Sequence, residues 1–297
     1  MTDVEQTHFG FAALIGAPNA GKSTLVNQLV GSKISIVSHK VQTTRARIRA
    51  ILVEGGVQAV LVDTPGIFAP KRKLDEHMVQ SAWAGASEAD AVLLLIDARR
   101  GLDEQAEKII EQLKANKSKA MLILNKVDLL RAEQLLPLSQ KINEAFPFTA
   151  TYMVSALNGS GVDALRTKIV SLMPAGPWHY PGDQAADVNL RFIAAEITRE
   201  KIYERLHDEL PYSTTVETEA WEEKRDGSVK ISQTIFVERD GQKAIVLGKG
   251  GASVKLLGTM ARKDMEDAFE RKVHLFLFVK VRENWTQDPE RIRMMGL

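Results

Sequence analysis

The chain contains no cysteine. That excludes a disulfide scaffold, a thiol nucleophile and cysteine-ligated zinc, and it is compatible with a reducing compartment. No apolar run approaches the roughly 20 residues needed to span a bilayer. The first five residues, Met1 to Glu5, carry two acids and no base ahead of any apolar core, which is not the pattern of a signal peptide. Neither sign of charge dominates: 39 Lys and Arg against 38 Asp and Glu leave a net of +1, which excludes a histone-like polycation. With 44% hydrophobic and 26% charged residues, 297 residues suit two globular domains rather than an extensively disordered chain.

Charge is unevenly placed. Residues 183–226 hold 6 bases against 12 acids, while 239–282 hold 10 bases against 5 acids. A basic segment in a neutral domain is either an anion-binding face or part of a solvated mixed surface.

Residues 8–173 alternate between short β-rich runs and helical patterns. The runs include Phe11 to Ile15, Val57 to Val62, Ala91 to Ile96, Ala120 to Leu124 and Thr151 to Val154, and the helices include Leu102 to Lys114 and Val162 to Leu172. Continuous apolar runs suit strands buried on both faces, so this part reads as a doubly wound α/β domain with a mostly parallel sheet. Met173 to Gly182 holds three Pro and two Gly and reads as a linker. Beyond it, Leu190 to Leu206 has helical periodicity. Two strands, Thr214 to Glu223 and Ser228 to Glu238, flank an Arg225-Asp226-Gly227 turn. Ala252 to Arg271 reads as a helix, Val273 to Val281 as a strand, and Ala244 to Leu247 as a short helix. The domains are placed at 1–175 and 187–297, with a linker at 176–186.

Three motifs in the first domain carry chemistry. Gly16-Ala17-Pro18-Asn19-Ala20-Gly21-Lys22-Ser23 has the G-x-x-x-x-G-K-[ST] spacing between an apolar run and a helical pattern, with Thr24 next. Backbone N–H groups of such a loop point at phosphate oxygens, Lys22 is placed to reach the β- and γ-phosphates, and the Ser23 hydroxyl to bind Mg²⁺. Asp63-Thr64-Pro65-Gly66, followed by Ile67, ends the next β-rich run. Its carboxylate suits Mg²⁺ and its glycine lets an N–H approach the γ-phosphate. Asn125-Lys126-Val127-Asp128 follows a third buried run. A carboxylate at Asp128 can accept from both N1–H and N2–H of guanine, a donor pair that adenine lacks. Ser155-Ala156-Leu157 can offer a backbone N–H to the guanine O6.

In this order and spacing the motifs resemble the guanine-nucleotide domain of the translation-factor-like small GTPases, over about 165 residues. The Gly-x-Pro-Asn loop and the Gln42-Thr43-Thr44-Arg45 stretch are similar to the TrmE–Era–EngA family. The resemblance implies a P-loop fold, GTP and GDP as ligands, Mg²⁺ held by Ser23, Thr44 and Asp63, and hydrolysis resting on Lys22, Thr44 and Gly66. Thr43 competes with Thr44 as the switch ligand, and Thr44 is chosen because it directly precedes Arg45. Ras-like GTPases carry a water-orienting Gln where this chain has Ile67, so slow intrinsic hydrolysis is expected. In related potassium-stimulated GTPases an Asn at the place of Asn19 helps hold K⁺; here Asn19 either does so or serves turn geometry.

Gly248-Lys249-Gly250-Gly251 joins two helical segments in the basic stretch. Two glycines let an RNA backbone pass close to the main chain, with Lys249, Lys255 and Lys243 near phosphate and adjacent apolar surface for unpaired bases. This resembles a KH domain of type II, a smaller α+β fold. A GTPase domain followed by one KH domain is the architecture of the Era branch, bacterial GTPases of ribosome assembly. Glu283-Asn284-Trp285 and the final Arg291 to Leu297 are similar to it as well. The resemblance implies binding of 16S rRNA near its 3′ end, a role in 30S subunit biogenesis, a cytoplasmic location with peripheral association to the inner membrane, and no DNA. An RNA-binding factor that uses GTP only as a release timer is the alternative, as is a tail that binds protein. A TrmE-like enzyme would need a cofactor domain and a C-terminal Cys, and a Der-like protein a second P-loop. His179, His207 and His274 have no metal-ligand spacing, and Trp83, Trp178, Trp221 and Trp285 read as packing residues, as do Met294-Met295.

Overall fold

The computed structural model describes residues 6–38, 40 and 42–288; the expectations at Met1 to Glu5, Arg291 to Leu297 and Met294-Met295 lie outside them. The chain forms two compact units. Among the described residues, one comprises those up to Ser35 together with Thr44–Asp187, and the other Ile36–Thr43 and those from Val188 to Asp288.

The first unit is a six-stranded sheet flanked by helices. Its elements are β1 His8–Gly16, α1 Lys22–Val30, β2 Ile48–Glu54, β3 Val57–Asp63, α2 Lys73–Ser87, β4 Ala91–Asp97, α3 Glu104–Ala115, β5 Met121–Asn125, α4 Ala132–Ala145, β6 Thr151–Val154 and α5 Val162–Ser171. The sheet order is β2-β3-β1-β4-β5-β6. All neighbours pair in parallel except β2, which runs antiparallel to β3 from Ile48 opposite Asp63 to Glu54 opposite Val57. Every residue of β4 and β5 is buried, as expected of strands covered on both faces. In α3 the buried residues Ala106, Ile109, Ile110 and Leu113 recur at three and four and form its core face, and Asp103 caps its start by accepting from Ala106 N–H at 2.9 Å. The parallel strands all finish at one edge, where Gly16, Asp63, Asp97, Asn125 and Val154 come together as strand ends. In open α/β sheets that edge is where ligands bind.

The Pro/Gly stretch has no regular structure, but it is tied down within this unit. Gln58, fully buried in β3, accepts at Oε1 from the N–H groups of His179 and Tyr180, both at 3.0 Å, and donates to the Tyr180 carbonyl at 2.9 Å. The Trp178 indole donates to the Gly56 carbonyl, Ile51 N–H to the Ala185 carbonyl, and His179 stacks on Phe9. One side-chain amide thus does the work of a short strand.

The second unit is built from α6 Leu190–Arg205, β7 Thr215–Glu223, β8 Val229–Val237, α7 Asp240–Leu247, α8 Ala252–Phe269 and β9 Val273–Val281. Its sheet order is β7-β8-β9, with β7/β8 antiparallel and β8/β9 parallel. The helix read at Ala244 to Leu247 starts four residues earlier, at Asp240, because Gln242 accepts from the N–H groups of Glu238 and Arg239 and caps the turn. Two apolar clusters fill the core, one around Ile202, Val216, Ile235 and Leu257, the other around Ile197, Ile231, Ala261 and Met265. The core also takes in a polar chain: Thr198 on α6 donates to Gln233 on β8, which donates to Thr218 on β7. Trp285 is buried and donates to the Ser213 carbonyl at 3.1 Å.

Replacing Gln58 with Ala leaves two backbone N–H groups and one carbonyl without their partner. The first unit should lose about 2 to 3 kcal/mol. Urea denaturation of the full chain checks this, and a loss under about 0.5 kcal/mol means the amide is not what anchors the segment.

Candidate functional site

The turn from β1 into α1 brings the phosphate-loop residues together. Gly21, the N-cap of α1, has φ 98°, and a Cβ there would overlap the Asn125 amide nitrogen. Glycine is therefore needed for both conformation and space. Lys22 is buried and donates to the carbonyls of Gly16 at 3.0 Å and Ala17 at 3.1 Å. It thus lies back across its own loop. Burial lowers its pKa to about 8, with Asp63 opposing the shift.

Asp63 ends β3 with no exposure to solvent. Ser23 Oγ donates to Asp63 Oδ2 at 2.7 Å and lies 2.8 Å from Thr44 Oγ1, which donates to the same carboxylate oxygen at 3.4 Å. Thr43 turns elsewhere and donates to the Lys40 carbonyl at 2.8 Å. The two threonines that the sequence leaves in competition are thus separated by geometry, and Thr44 is the one beside Ser23 and Asp63. Asp63 Oδ1 is buried without a hydrogen-bond partner. Burial raises the pKa of Asp63, while Ser23 and Lys22 pull the other way. A buried carboxylate with one oxygen held by two hydroxyls and the other unpartnered fits a hard, oxygen-seeking cation, so this trio suits Mg²⁺.

Thr64 donates to the Leu14 carbonyl at 2.6 Å, and Ile67 N–H to the Gly16 carbonyl at 3.0 Å, so Thr64, Pro65 and Gly66 are laid against β1 and the phosphate loop. The Ile67 side chain packs in the core cluster with Ile15, Val62 and Ala82. It faces the apolar interior and offers nothing to a water molecule.

At the base end, Asn125 is buried and donates to the Ala20 carbonyl at 2.8 Å while accepting from Ala156 N–H at 3.0 Å. It pins the phosphate loop to the Ser155-Ala156-Leu157 loop. The Ala156 N–H is therefore already engaged, and a guanine O6 would have to displace that bond or take the next N–H, that of Leu157. Lys126, in a left-handed conformation, reaches the Asn19 carbonyl at 2.6 Å and Asp97 Oδ2 at 2.7 Å. Asn19 is exposed with φ 63°, the conformation that a turn asparagine tolerates. Asp128 lies in the short helical turn Val127–Leu129 beyond β5.

Asp97, Arg99 and Arg100 were not legible as site residues. Asp97, at the end of β4, holds Arg99 and Lys126. Burial works against its charge, but the two cations outweigh that and keep it below the usual carboxylate range. Strand-end position is the only signal that could have marked it.

In the second unit, Gly248, Gly250 and Gly251 all have positive φ between α7 and α8. At Gly248 a Cβ would sit 2.7 Å from that of Ser253, so no other residue fits. Lys249 and Lys255 are exposed and Lys243 is half-buried; Ile245 and Leu256 present apolar surface on the two helices. The turn leads into the N-terminus of the 18-residue α8, the positive end of a helix, which favours an anion.

Among the described residues no group of three or more His, Asp or Glu is placed to share a metal ion, and no helix is long and apolar enough to cross a membrane.

Comparison with known proteins agrees with this geometry. Residues 11–126 match the family model described as 50S ribosome-binding GTPase, and residues 209–286 match the KH domain. The chain is 60% identical over 296 residues to GTPase Era of Brucella suis, covering all of this chain and 95% of that one. It is 62% identical over 291 residues to GTPase Era of Afipia carboxidovorans, covering 98% and 94%. Two solved structures superpose with a TM-score of 0.92 at 36% identity, covering 98% of this chain and 99% of each. One is a point variant of Era from Aquifex aeolicus bound to GDP and AlF4⁻; the other is Era with MgGDPNP and nucleotides 1506–1542 of 16S ribosomal RNA.

With nucleotide phosphates beside Lys22 the lysine would stay protonated, so above pH 8 binding would take up a proton. The depressed pKa means that the charge is present below pH 8 and lost as pH rises through it. GDP affinity should weaken about fivefold between pH 8 and pH 9. Titration calorimetry in two buffers of different ionisation enthalpy reads both the affinity and the proton; a wild-type profile no steeper than that of Lys22→Gln would refute the assignment.

Proposed function

The chain belongs to the GTPase Era family, and from that premise we propose which residues carry its two activities and which RNA it binds. It is a GTPase with a KH domain. GTP is cradled by Gly16 to Thr24, with Lys22 swinging from the Gly16 and Ala17 carbonyls onto the β- and γ-phosphates. Ser23, Thr44 and Asp63 hold Mg²⁺, which when bound neutralises charge on the phosphate oxygens. Asp63 to Ile67 face the γ-phosphate through backbone N–H groups. Asn125 to Asp128 and Ser155 to Leu157 enclose guanine. The observation that carries this reading is the Ser23–Thr44–Asp63 cluster, three oxygen-bearing side chains from three separate segments that meet at Asp63 Oδ2, with the other carboxylate oxygen, Oδ1, buried and unpartnered.

Hydrolysis in this site rests on positioning and electrostatics. Lys22, the loop N–H groups and the metal-binding trio stabilise the transferred phosphoryl group. Ile67 supplies no amide for the attacking water, so turnover without a partner is slow. Asn19 holding K⁺ against the phosphates would add positive charge where the loop turns.

The RNA is the 3′ end of 16S rRNA, bound at Gly248 to Gly251 with Lys249, Lys255 and Lys243, and the role is in 30S subunit biogenesis. Support comes from the positive-φ glycine turn, the basic segment around it, and the whole-chain likeness to Era bound to nucleotides 1506–1542 of 16S ribosomal RNA. The family model named for the 50S subunit matches the nucleotide domain alone, so the whole-chain likeness is the better guide to the subunit. The location fitting this role is cytoplasmic, with peripheral contact at the inner membrane.

Two outcomes test the reading. Asp128→Asn replaces an acceptor pair with a donor, which suits the C2 carbonyl of xanthine; guanine nucleotide affinity should fall by about 10³-fold or more while xanthine nucleotide affinity rises, by competition with a fluorescent nucleotide. Unchanged guanine preference would move the base elsewhere. The double change Lys249→Asp and Gly250→Asp should weaken a 16S 3′-end RNA by about tenfold or more and flatten its salt dependence, with GDP binding intact. RNA affinity equal to wild type would leave a tail that binds protein.

A further inference from the structure

The end of β4 carries an acid that the nucleotide motifs do not account for. Asp97 stands in parallel register with Asn125, the last residue of β5, and both belong to the first compact unit. Asp97 is only 5% exposed. A carboxylate so buried has to be met by hydrogen bonds or a cation, and Asp97 has both. Its Oδ1 accepts from Arg99 N–H at 3.0 Å. Its Oδ2 lies 3.2 Å from the Arg99 guanidinium and accepts from Lys126 Nζ at 2.7 Å. The Arg99 side chain is 53% exposed and that of Lys126 25%. The lysine is the better shielded of the two cations, so its pairing with Asp97 is the less screened by solvent.

Lys126 holds a costly backbone conformation. Its φ is 65°, in the left-handed region where a residue with a Cβ is strained. It leads directly into the short turn Val127–Leu129 that carries Asp128, and Leu129 N–H closes that turn on the Lys126 carbonyl at 3.1 Å. Strain of this kind persists only where the surroundings impose it. Here the ammonium is tied at two points, Asp97 Oδ2 and the Asn19 carbonyl, the second at 2.6 Å. The preceding residue is fixed as well, because Ala98 N–H donates to the Asn125 carbonyl at 2.9 Å. Of the two ties on the ammonium, the one to the carboxylate is the stronger, since a bond between two charged partners exceeds one to a neutral carbonyl. Asp97 is therefore the main anchor of the left-handed turn. The turn in turn sets where Asp128 stands and links the phosphate loop, at Asn19, to the loop beyond β5.

We propose that Asp97 is a positioning residue for the nucleotide: acting through Lys126, it fixes the turn that presents Asp128 and ties it to the phosphate loop at Asn19, so that the lifetime and base preference of the bound nucleotide depend on an acid outside the nucleotide-binding motifs. This rests on Asn125 to Asp128 holding guanine, as proposed above.

The test uses the full chain and the variants Asp97→Ala, Asp97→Asn, Lys126→Ala and the double change Asp97→Ala with Lys126→Ala. Each is loaded with a fluorescent GDP analogue, and release is followed in excess unlabelled GDP. Competition then gives the preference for GDP over inosine diphosphate, which lacks the 2-amino group that Asp128 would accept from. Asp97→Ala should speed release about tenfold and narrow the preference for GDP several-fold. Asp97→Asn keeps an acceptor in place without the charge. It should speed release about threefold, and it decides the matter if Asp97→Ala fails to fold. In the Lys126→Ala background, Asp97→Ala should add less than about twofold, because the residue it acts through is already gone. A lowered melting temperature with unaltered release and unaltered base preference would make Asp97 a structural residue and overturn the proposal. So would an effect of Asp97→Ala that is undiminished when Lys126 is absent. If Lys126→Ala speeds release and the Asp97 variants do not, the proposal is refuted and the base-loop assignment stands. If Lys126→Ala and Asp128→Asn both leave release and base preference unchanged, the base-loop assignment is refuted and the proposal falls with it.

Discussion

A carboxylate and an ammonium buried together would ordinarily neutralise each other, and in this protein they do not. Asp63 and Lys22 attract, yet burial still lowers the lysine to about 8 and raises the aspartate. Each is held by something other than its opposite: Lys22 by two loop carbonyls, Asp63 by two hydroxyls, with one carboxylate oxygen left bare. Burial thus disfavours both charges more than their mutual attraction offsets. A ligand that brings an anion to Lys22 and a divalent cation to Asp63 in one piece relieves both, and a magnesium nucleoside triphosphate is such a ligand. The parallel sheet matters because it delivers the elements of this arrangement to one edge, β1 with its glycine turn and β3 with its terminal carboxylate.

The base end obeys a different constraint. Nothing there is strongly charged and buried except Asp97, and its charge is answered by Lys126 and Arg99. The central piece is neutral, the Asn125 amide, which spans from Ala20 to Ala156 and so sets the distance between the phosphate loop and the loop over the base. Removing a neutral bridge of this kind costs two hydrogen bonds and the register between two loops. Asp128, the residue proposed to recognise guanine, stands beyond the bridge on a short turn.

How much of this could be read from residues alone depends on whether the signal was local. The phosphate loop, the D-x-x-G and N-K-x-D segments and the hairpin at Gly227 are local, and the strands they end on are continuous apolar runs. Strand β2 lacked such a signal because its outer residues are exposed at the sheet edge, where Arg49 and Glu54 interrupt the run. Helix α4 was obscured by Pro137, which sits inside it. The role of Gln58 was out of reach, since its partners are 121 and 122 residues away. The contact made by Arg199 was equally hidden, since the Thr43 carbonyl to which it donates is 156 residues away. An arginine on an amphipathic helix ordinarily reads as solvated surface, whereas Arg199 is buried. The Pro/Gly composition of 173–182 was legible, but the anchoring of this stretch within the first unit was not, because a buried amide that holds it leaves no periodic trace.

Both candidate sites answer polyanions with one device, a glycine turn at φ > 0 leading into a helix N-terminus with a lysine beside it. The difference lies in where the lysine stands. Lys22 is buried, so its interaction with phosphate is made at low dielectric and is little affected by salt. Lys249 and Lys255 are exposed, so each contributes a screened contact of the kind that weakens as ionic strength rises. A buried lysine suits a small ligand that must be held through chemistry on one of its own bonds. Exposed lysines suit a long ligand that is read along its length and must be let go. The same local geometry thus suits a closed site for a nucleotide in one place and an open one for RNA, as proposed, in the other, according to how much protein is folded over it.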